Sequence, residues 1–107
     1  MERGQIVVAV FPREFRKPRP ALVIQSSVFD HLESVALLPL TTDLRNGVPF
    51  RLDVLPTDGN GLRQRCQIMI DKPQTVYVDK IRNEISCLDP GTLRRVNVAL
   101  ALFLGLV

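Results

Sequence analysis

The sequence has few residues of the kinds that build metal sites or disulfide frameworks. It contains one histidine, His31, and two cysteines, Cys66 and Cys87, which are 21 residues apart and not in a CxxC motif. Zinc sites need several Cys or His ligands at short spacings, and one His cannot complete such a set with these thiols. We therefore expect no metal site and no cofactor, and we interpret both cysteines as buried apolar residues in a reducing compartment.

Long hydrophobic runs, internal repeats and low-complexity tracts are also missing. The apolar run at residues 6–11 has six residues, and the apolar stretch at residues 96–107 has 12. A membrane span needs about 20 such residues, and the first run is also too short for the apolar region of a signal peptide. These absences predict a cytoplasmic protein that does not bind membranes.

Positive charge is concentrated at one end of the chain. The 107 residues include 14 Lys or Arg and 11 Asp or Glu, which gives a formal net charge of +3. Residues 1–20 hold five basic and two acidic side chains, whereas residues 21–107 hold nine of each. Eleven of the basic residues are arginine, whose planar guanidinium binds phosphate or carboxylate through paired hydrogen bonds. This excess is compatible with an anionic partner but does not identify one.

The length and the 46% hydrophobic content predict one domain, residues 1–107, with an apolar core. Short aliphatic and β-branched segments separated by Pro, Gly, Asp and Asn are typical of strands joined by turns. The predicted strands are residues 5–10, 21–25, 35–40, 50–55, 66–71 and 75–78. Residues 12–20 are predicted to form a basic loop, because their three prolines cannot donate ladder hydrogen bonds. Pro39 indicates that the third strand is an edge strand or contains a bulge.

A helical pattern begins at Asp89. Asp89 suits the N-cap position, Pro90 the first helical position, and Gly105 the end of the helix. Five apolar residues then fall on one helical face: Leu93, Val96, Leu100, Phe103 and Leu104. The apolar surface is wide enough to be buried on more than one side, and a homodimer interface is one way to bury it. Together with the strands, this helix predicts a mainly β (α+β) fold, a small barrel with a C-terminal helix.

Six segments resemble, in the same order, the MazF/PemK (Kid-like) toxins of bacterial toxin–antitoxin modules. They are RGQIV at residues 3–7, KPRPALVI at 17–24, LPLTT at 38–42, the set GLR, QIMID and TV between 61 and 76, DKIR at 79–82, and LD at 88–89. The resemblance implies an SH3-like β-barrel and a homodimer. It also implies a metal-independent endoribonuclease that cleaves single-stranded RNA, inhibits translation and growth, and is blocked by an antitoxin with an acidic C-terminal tail.

The resemblance places the catalytic arginine of the family at Arg19. RNA cleavage without a metal uses the 2′-OH as nucleophile, so the site must accept its proton, stabilise charge on the phosphorane and protonate the 5′-oxygen. An arginine suits the second task because its fork matches phosphate oxygens and stays charged. Pro18 and Pro20 favour extended geometry around it. The alternative is a solvated loop arginine.

Thr41 matches the active-site threonine of the family and could bind the phosphate or orient the 2′-OH. Thr42 follows it on the other face of an extended chain. The alternative for both is a turn-capping hydroxyl before Asp43.

Asp71 matches an aspartate proposed as the base in some members. An aspartate titrates near 4 and is a poor base unless burial or a nearby anion raises its pKa, so a strand-end role is the alternative. In the same members an arginine two residues earlier takes part in catalysis, whereas this chain has Met69. Possible replacements for that arginine are Arg63, Arg65 and Lys72.

The first loop differs most from the family. Many members have a longer loop rich in Glu, Gln and Gly, whereas this chain has the short basic run FPREFRK at residues 11–17. We predict that Phe15 stacks on RNA bases, and that Arg13, Arg16 and Lys17 contact phosphates, with Thr42 as a further RNA contact. A core position is the alternative for Phe15 and the expectation for Phe11, which continues the first strand.

Two other functions remain open from the sequence. A gyrase poison of the CcdB type shares the architecture but acts through C-terminal residues that include a tryptophan. This chain has no tryptophan and ends FLGLV. A catalytically weak relative that only binds its antitoxin is the other alternative, because of Met69 and the short first loop.

Overall fold

Seven antiparallel strands and a C-terminal helix make up the part of the chain that the computed structural model describes, residues 1–12 and 17–107. The strands are β1 (Gln5–Val10), β2 (Pro18–Val23), β3 (Ser34–Thr41), β4 (Arg51–Val54), β5 (Cys66–Met69), β6 (Gln74–Tyr77) and β7 (Ile81–Cys87). The helix α1 is Pro90–Leu104, and short 3₁₀ turns lie at Ser27–Phe29 and Val78–Lys80.

The strand order in the sheet is β4-β5-β3-β2-β1-β7, and β6 pairs with β3. No ladder between β4 and β7 closes the sheet within the described residues. The predicted fold class, a small mainly β barrel with a C-terminal helix, is confirmed.

Alternation along β1 and β2 divides the core between the two faces of the sheet. Ile6 and Leu22 face one cluster, which also holds Val96 and Leu100 of α1. Their strand neighbours face the other cluster, whose buried members are Val7, Ala9, Phe11, Ala21, Val23, Val35, Leu37 and Val76. Phe11 is therefore a core residue, as predicted.

The strand β2 begins earlier than predicted. Residues 18–20 pair with β1, from Ala9 opposite Arg19 to Val10 opposite Pro18. The prediction of a loop through Pro20 was wrong here. The third strand pairs with β2 only from Ala21 onward, so residues 18–20 have a ladder on one side. Prolines are tolerated where a strand has one free edge.

Pro39 lies in an interior strand of the sheet, so its interpretation as an edge residue was wrong. On one side β3 pairs with β2. On the other side it pairs with β6 as far as Leu37 and with β5 from Leu40. Pro39 lies where β3 changes partner on that side, and a missing N–H costs least where a ladder is interrupted.

The strand β7 had no counterpart among the predicted strands. It is mostly exposed and has no apolar alternation. Two register shifts interrupt its ladder with β1. The other strands match their predictions to within one or two residues at each end, and the helical turn expected from Ser27 is present.

The caps of α1 match the sequence signals. The Asp89 side chain accepts a hydrogen bond from the Thr92 N–H at 3.0 Å, and Gly105 ends the helix with a φ of 74°. Val96 and Leu100 of the predicted face are buried, whereas Phe103 and Leu104 are 47% and 51% exposed. The predicted apolar face is therefore only partly buried within the described chain.

The two cysteines differ. Cys66 is buried in the core as expected, and burial raises the pKa of its thiol. Cys87 is exposed, so its interpretation as a buried residue was wrong. It is the last residue of β7, where a strand with little apolar pattern meets the helix cap. Across the described ranges, no helix has the length and apolarity that a membrane crossing requires.

Candidate active site

Arg19 and Thr41 occupy corresponding positions on neighbouring strands. The β2–β3 ladder pairs Ala21 with Pro39, and the same register two residues further on relates Arg19 to Thr41. Residues two apart in a strand point to the same face, so both side chains lie on the face of Ala21 and Pro39. The register therefore aligns two of the residues that the sequence predicted to be catalytic.

Arg19 has the backbone geometry that its neighbours predicted. It is part of β2, it is flanked by two prolines, and its cross-strand partner on β1 is Ala9. The residue is partly exposed. A small partner on the adjacent strand leaves room beside the guanidinium, and the extended backbone fixes the direction in which it leaves the sheet.

Thr41 ends β3 and is 8% exposed. Its Oγ1 accepts a hydrogen bond from the Asp43 N–H at 3.0 Å. This contact is the turn-capping role given above as the alternative. A threonine hydroxyl has a second lone pair and its own proton, so it can cap the turn and still donate to another group. Thr42 is exposed beside it.

The row continues from Thr41 across two more strands. Thr41 pairs with Gln67 of β5, and Gln67 pairs with Asp53 of β4. Directly opposed residues share a face, so these three polar side chains lie on the face opposite the core positions Leu40 and Ile68. The row thus consists of Arg19, Thr41, Gln67 and Asp53 on four adjacent strands.

Gln67 is the most connected polar side chain of this row. It is only 3% exposed. Its Oε1 accepts from the Arg45 N–H at 2.9 Å and from Arg51 Nη1 at 3.1 Å. Its Nε2 donates to the Arg45 carbonyl at 3.0 Å and to Asp53 Oδ1 at 2.8 Å. One buried amide therefore ties the loop after Thr41 to both strands of the β4–β5 hairpin.

Arg51 lies directly across the β4–β5 ladder from Met69. Its Nη1 also donates to the Asp43 carbonyl at 3.0 Å, and its Nε is buried without a hydrogen-bond partner in the described chain. Of the three possible replacements for an arginine at position 69, Arg65 binds Asp53 at 2.9 Å and Lys72 binds Asp71 at 2.7 Å.

The third possible replacement, Arg63, is exposed between β4 and β5, outside any strand. Sequence reasoning did not select Arg51, which it treated as a solvated strand end. Only the strand register shows that the Arg51 side chain shares a face with Met69.

A small basic cleft opens beside this row. It has a volume of about 290 Å³, and its lining residues are Arg45, Asn46, Gly47, Val48, Pro49, Arg51, Asp53 and Gln67. Hydrogen bonds from Gln67 and Arg65 keep the pKa of Asp53 below its ordinary value. Asp53 is therefore ionised at neutral pH, with Oδ1 bound to Gln67 and Oδ2 bound to Arg65.

Asp71 lies in the turn just after β5. Its Oδ2 forms an ion pair with Lys72 at 2.7 Å, and its side chain is 19% exposed. Its Oδ1 is buried and finds no hydrogen-bond partner among the residues described. Asp71 follows the β5 strand that carries Gln67 and Met69, so it lies at the end of that strand rather than in the row.

The predicted RNA contacts of the first loop are mostly outside the description. Arg13, Phe15 and Arg16 fall at residues 13–16, which lie outside the described residues. Lys17 is described and exposed just before β2. Within the described ranges no group of three or more His, Cys, Asp or Glu side chains could hold a metal ion.

An apolar groove separates α1 from the β4–β5 hairpin, and we call it the helix groove. It has a volume of about 690 Å³, and its lining residues are Pro49, Phe50, Leu52, Ile70, Gly91, Arg94, Arg95, Val98, Ala99, Leu102 and Phe103. Val98 and Leu102 are 62% and 63% exposed. Large apolar side chains at this exposure form a patch of the kind that marks interaction sites.

Comparison with known proteins agrees with the fold and the row. A family model described as "PemK-like, MazF-like toxin of type II toxin-antitoxin system" matches residues 2–104. The chain is 35% identical over 107 residues to the probable endoribonuclease MazF of Mycolicibacterium smegmatis (strain ATCC 700084 / mc(2)155), covering 99% of this chain and 98% of that protein.

Solved structures of similar proteins show the same architecture. Mycobacterium tuberculosis toxin MazF-mt6 superposes with a TM-score of 0.79 at 26% identity, over 94% of this chain and 96% of that chain. An endoribonuclease in complex with its cognate antitoxin from a mycobacterial species has a TM-score of 0.83 at 23% identity, over 100% and 97% of the two chains.

Fold and relatives define a small β-barrel toxin with a C-terminal helix. The chain belongs to the PemK-like, MazF-like toxin family of type II toxin–antitoxin systems and is a homologue of an endoribonuclease. These relatives give no support to the gyrase-poison alternative.

Proposed function

We propose that residues 1–107 act as one toxin domain in the cytoplasm that cleaves single-stranded RNA through attack of the 2′-OH, without a metal ion or other cofactor. The observation that carries this proposal is the register that aligns Arg19 with Thr41 on one face, in a chain related over its full length to a probable endoribonuclease. A phosphodiester held between these two side chains meets a fixed cation and a hydroxyl together.

Arg19 has the task of stabilising the phosphorane. Negative charge develops on the non-bridging oxygens during the attack, and a guanidinium held in advance by an extended backbone needs little reorganisation to bind it. The flanking prolines supply that rigidity.

Thr41 has the task of orienting the reacting groups. Its oxygen is held by the Asp43 N–H, which leaves the hydroxyl proton to point towards a phosphate oxygen or the 2′-OH. The turn contact thus fixes the hydroxyl where the reaction needs it.

Asp71 is the proposed acceptor of the 2′-OH proton. Its Oδ1 is not engaged by the described residues, while Lys72 occupies Oδ2. A partly buried carboxylate with one unengaged oxygen has the chemistry of a general base. Arg13, Phe15, Arg16, Lys17 and Thr42 are the proposed contacts to the rest of the RNA.

The helix groove is the proposed homodimer interface. It joins exposed apolar residues of α1 to the apolar edge of the β4–β5 hairpin. Burial of such a patch by a second copy removes it from water. The proposed further partner is an antitoxin whose acidic tail competes with RNA for the basic surface.

The test is cleavage of a long single-stranded RNA in excess EDTA, with product ends mapped. We expect cleavage by the wild type and loss of cleavage in Arg19→Ala. Arg63→Ala is the matched control, because Arg63 is an exposed arginine outside the row. Full activity of Arg19→Ala would contradict the site, and absence of RNA cleavage by the wild type would contradict the function.

A catalytically weak relative that only binds its antitoxin remains the second candidate, because Met69 replaces an arginine that takes part in catalysis in some relatives. Binding of an acidic peptide by a wild type that cleaves no RNA would support it.

A further inference from the structure

We propose that the basic cleft binds a phosphate of the RNA next to the scissile one, with Arg45 and Arg51 as its contacts and Gln67 as the residue that positions them. This inference rests on the RNA-cleaving function proposed above. It adds a subsite that is separate from Arg19 and Asp71.

The first support is the state of Arg51. Its Nη1 is held by two acceptors, the Asp43 carbonyl at 3.0 Å and Gln67 Oε1 at 3.1 Å. Its Nε is buried without a partner in the described part of the chain. An unsatisfied buried donor costs free energy of about 1–3 kcal/mol, and an anionic oxygen at this cleft would supply the missing acceptor.

The second support is the charge balance of the cleft. Its lining contains two arginines and one carboxylate, Asp53. Both oxygens of Asp53 are engaged, by Gln67 at 2.8 Å and by Arg65 at 2.9 Å. The bound guanidinium of Arg65 balances this carboxylate. Arg45 and Arg51 therefore leave the cleft positively charged, and a singly charged phosphodiester complements it.

The third support is rigidity. The loop that carries Arg45 is fixed through its backbone, because Gln67 binds both the N–H and the carbonyl of Arg45. The Arg45 side chain is thus left to project from a fixed loop, and it is exposed. A preorganised site loses less entropy when a ligand binds.

The fourth support is position. Gln67 is the cross-strand partner of Thr41, so the cleft follows directly from the proposed reaction centre on the same face. A single RNA strand that places one phosphate at Arg19 and Thr41 can then extend towards the cleft. Gly47 in its wall has a φ of 72° and no Cβ contact within 4 Å, so backbone faces this space.

The test uses a single-stranded RNA that spans a mapped cleavage site, with a 2′-O-methyl group on the attacking nucleotide so that it binds without being cut. Affinity is measured for the wild type, Arg45→Gln, Arg51→Gln and Gln67→Leu over a series of salt concentrations. Arg63→Gln is the control for loss of one positive charge.

We expect Arg45→Gln and Arg51→Gln each to weaken binding by roughly tenfold, with the KM for cleavage raised and kcat changed by less than about twofold. The slope of log affinity against log salt should fall by about 0.7 for each lost phosphate contact. Arg45→Gln keeps every backbone contact of the loop, so its effect does not depend on refolding. Gln67→Leu should also weaken binding, but with no loss of charge.

The proposal is overturned if Arg45→Gln and Arg51→Gln bind RNA with the affinity and salt slope of Arg63→Gln. It is also overturned if they weaken binding of an acidic antitoxin peptide and leave RNA binding unchanged. In both cases a wild type that cleaves RNA, with an inactive Arg19→Ala, leaves the proposed function intact. A wild type that neither binds nor cleaves RNA refutes the function itself.

Discussion

Thr41 and Gln67 face each other across the β3–β5 ladder, and both hold the loop that follows Thr41. Thr41 Oγ1 accepts from the Asp43 N–H, and Gln67 binds both backbone polar groups of Arg45. The loop is thus fixed at two alternate residues by two almost fully buried side chains. Changes at either partner therefore affect the site in ways that can be measured separately.

Replacing Thr41 by valine removes its hydroxyl and keeps its shape. We expect roughly a 100-fold loss in single-turnover RNA cleavage, because a positioned donor to the reacting groups is lost. A stability loss of about 1 kcal/mol should accompany it, since the Asp43 N–H loses its acceptor. Thr41→Ser should restore most activity, and Thr42→Val is the control on the other face. Equal losses in the serine and valine variants would contradict a role for the hydroxyl.

Gln67→Leu should lower the free energy of unfolding by about 1–3 kcal/mol, because the Arg45 N–H and carbonyl and the Arg51 guanidinium all lose a partner. Urea denaturation followed by circular dichroism measures this. Gln64→Leu makes the same chemical change at an exposed position and should alter stability by less than about 0.5 kcal/mol. Similar values for the two variants would show that the hydrogen bonds of Gln67 contribute no net stability.

Asp53 makes the protein sensitive to acid. Its pKa is lowered in the folded chain from an ordinary value of 3.8, by the hydrogen bonds from Gln67 and Arg65. The stability that it contributes is complete above that ordinary value and is lost as the pH falls through the lowered one.

Unfolding free energies measured from neutral pH down to about pH 2.5 should therefore fall more steeply for the wild type than for Asp53→Asn below about pH 4. The cap residue Asp89, whose pKa is also lowered by its bonds to Thr92, is unchanged in both proteins and cancels in the comparison. Parallel pH profiles for the two proteins would exclude this contribution of Asp53.

The helix groove makes a prediction about oligomeric state. We expect a dimer at micromolar concentration in sedimentation, and a folded monomer for Leu102→Glu, because a charge at the centre of the patch would have to be desolvated. The side chain is 63% exposed, so the fold of the monomer should tolerate the change. Asn97→Asp adds a charge on the exposed helix surface outside the groove and should remain dimeric. A wild type that stays monomeric would contradict the proposed interface.

Local chemistry was enough to predict the ends of several elements. Asp89, Pro90 and Gly105 determine the bounds of α1 through capping geometry, and the apolar run of β1 identifies that strand without help from the rest of the chain. The strand β7 was missed because its exposed residues carry no alternation, and its ladder partner β1 lies more than 70 residues away. Its formation depends on pairing and not on its own composition.

The site shows the same division. The sequence selected Arg19 and Thr41 through a family resemblance, and the proline neighbours of Arg19 indicated its backbone geometry. Gln67, Asp53 and Arg51 were missed because polar residues in an alternating strand suggest a solvent-facing side. Their contacts join residues 12 to 22 positions apart, across strand pairs whose register no local pattern specifies.

Pro49 belongs to the walls of both the basic cleft and the helix groove. Its ring fixes one backbone dihedral, so the partition between the two spaces is stiff and shifts as a unit. Occupancy on its two sides is then thermodynamically linked. By the factor to which a second copy in the groove changes the affinity of the cleft for phosphate, phosphate in the cleft changes the affinity of the copies for each other. RNA concentration and assembly state would be two readouts of a single equilibrium that meets at one proline.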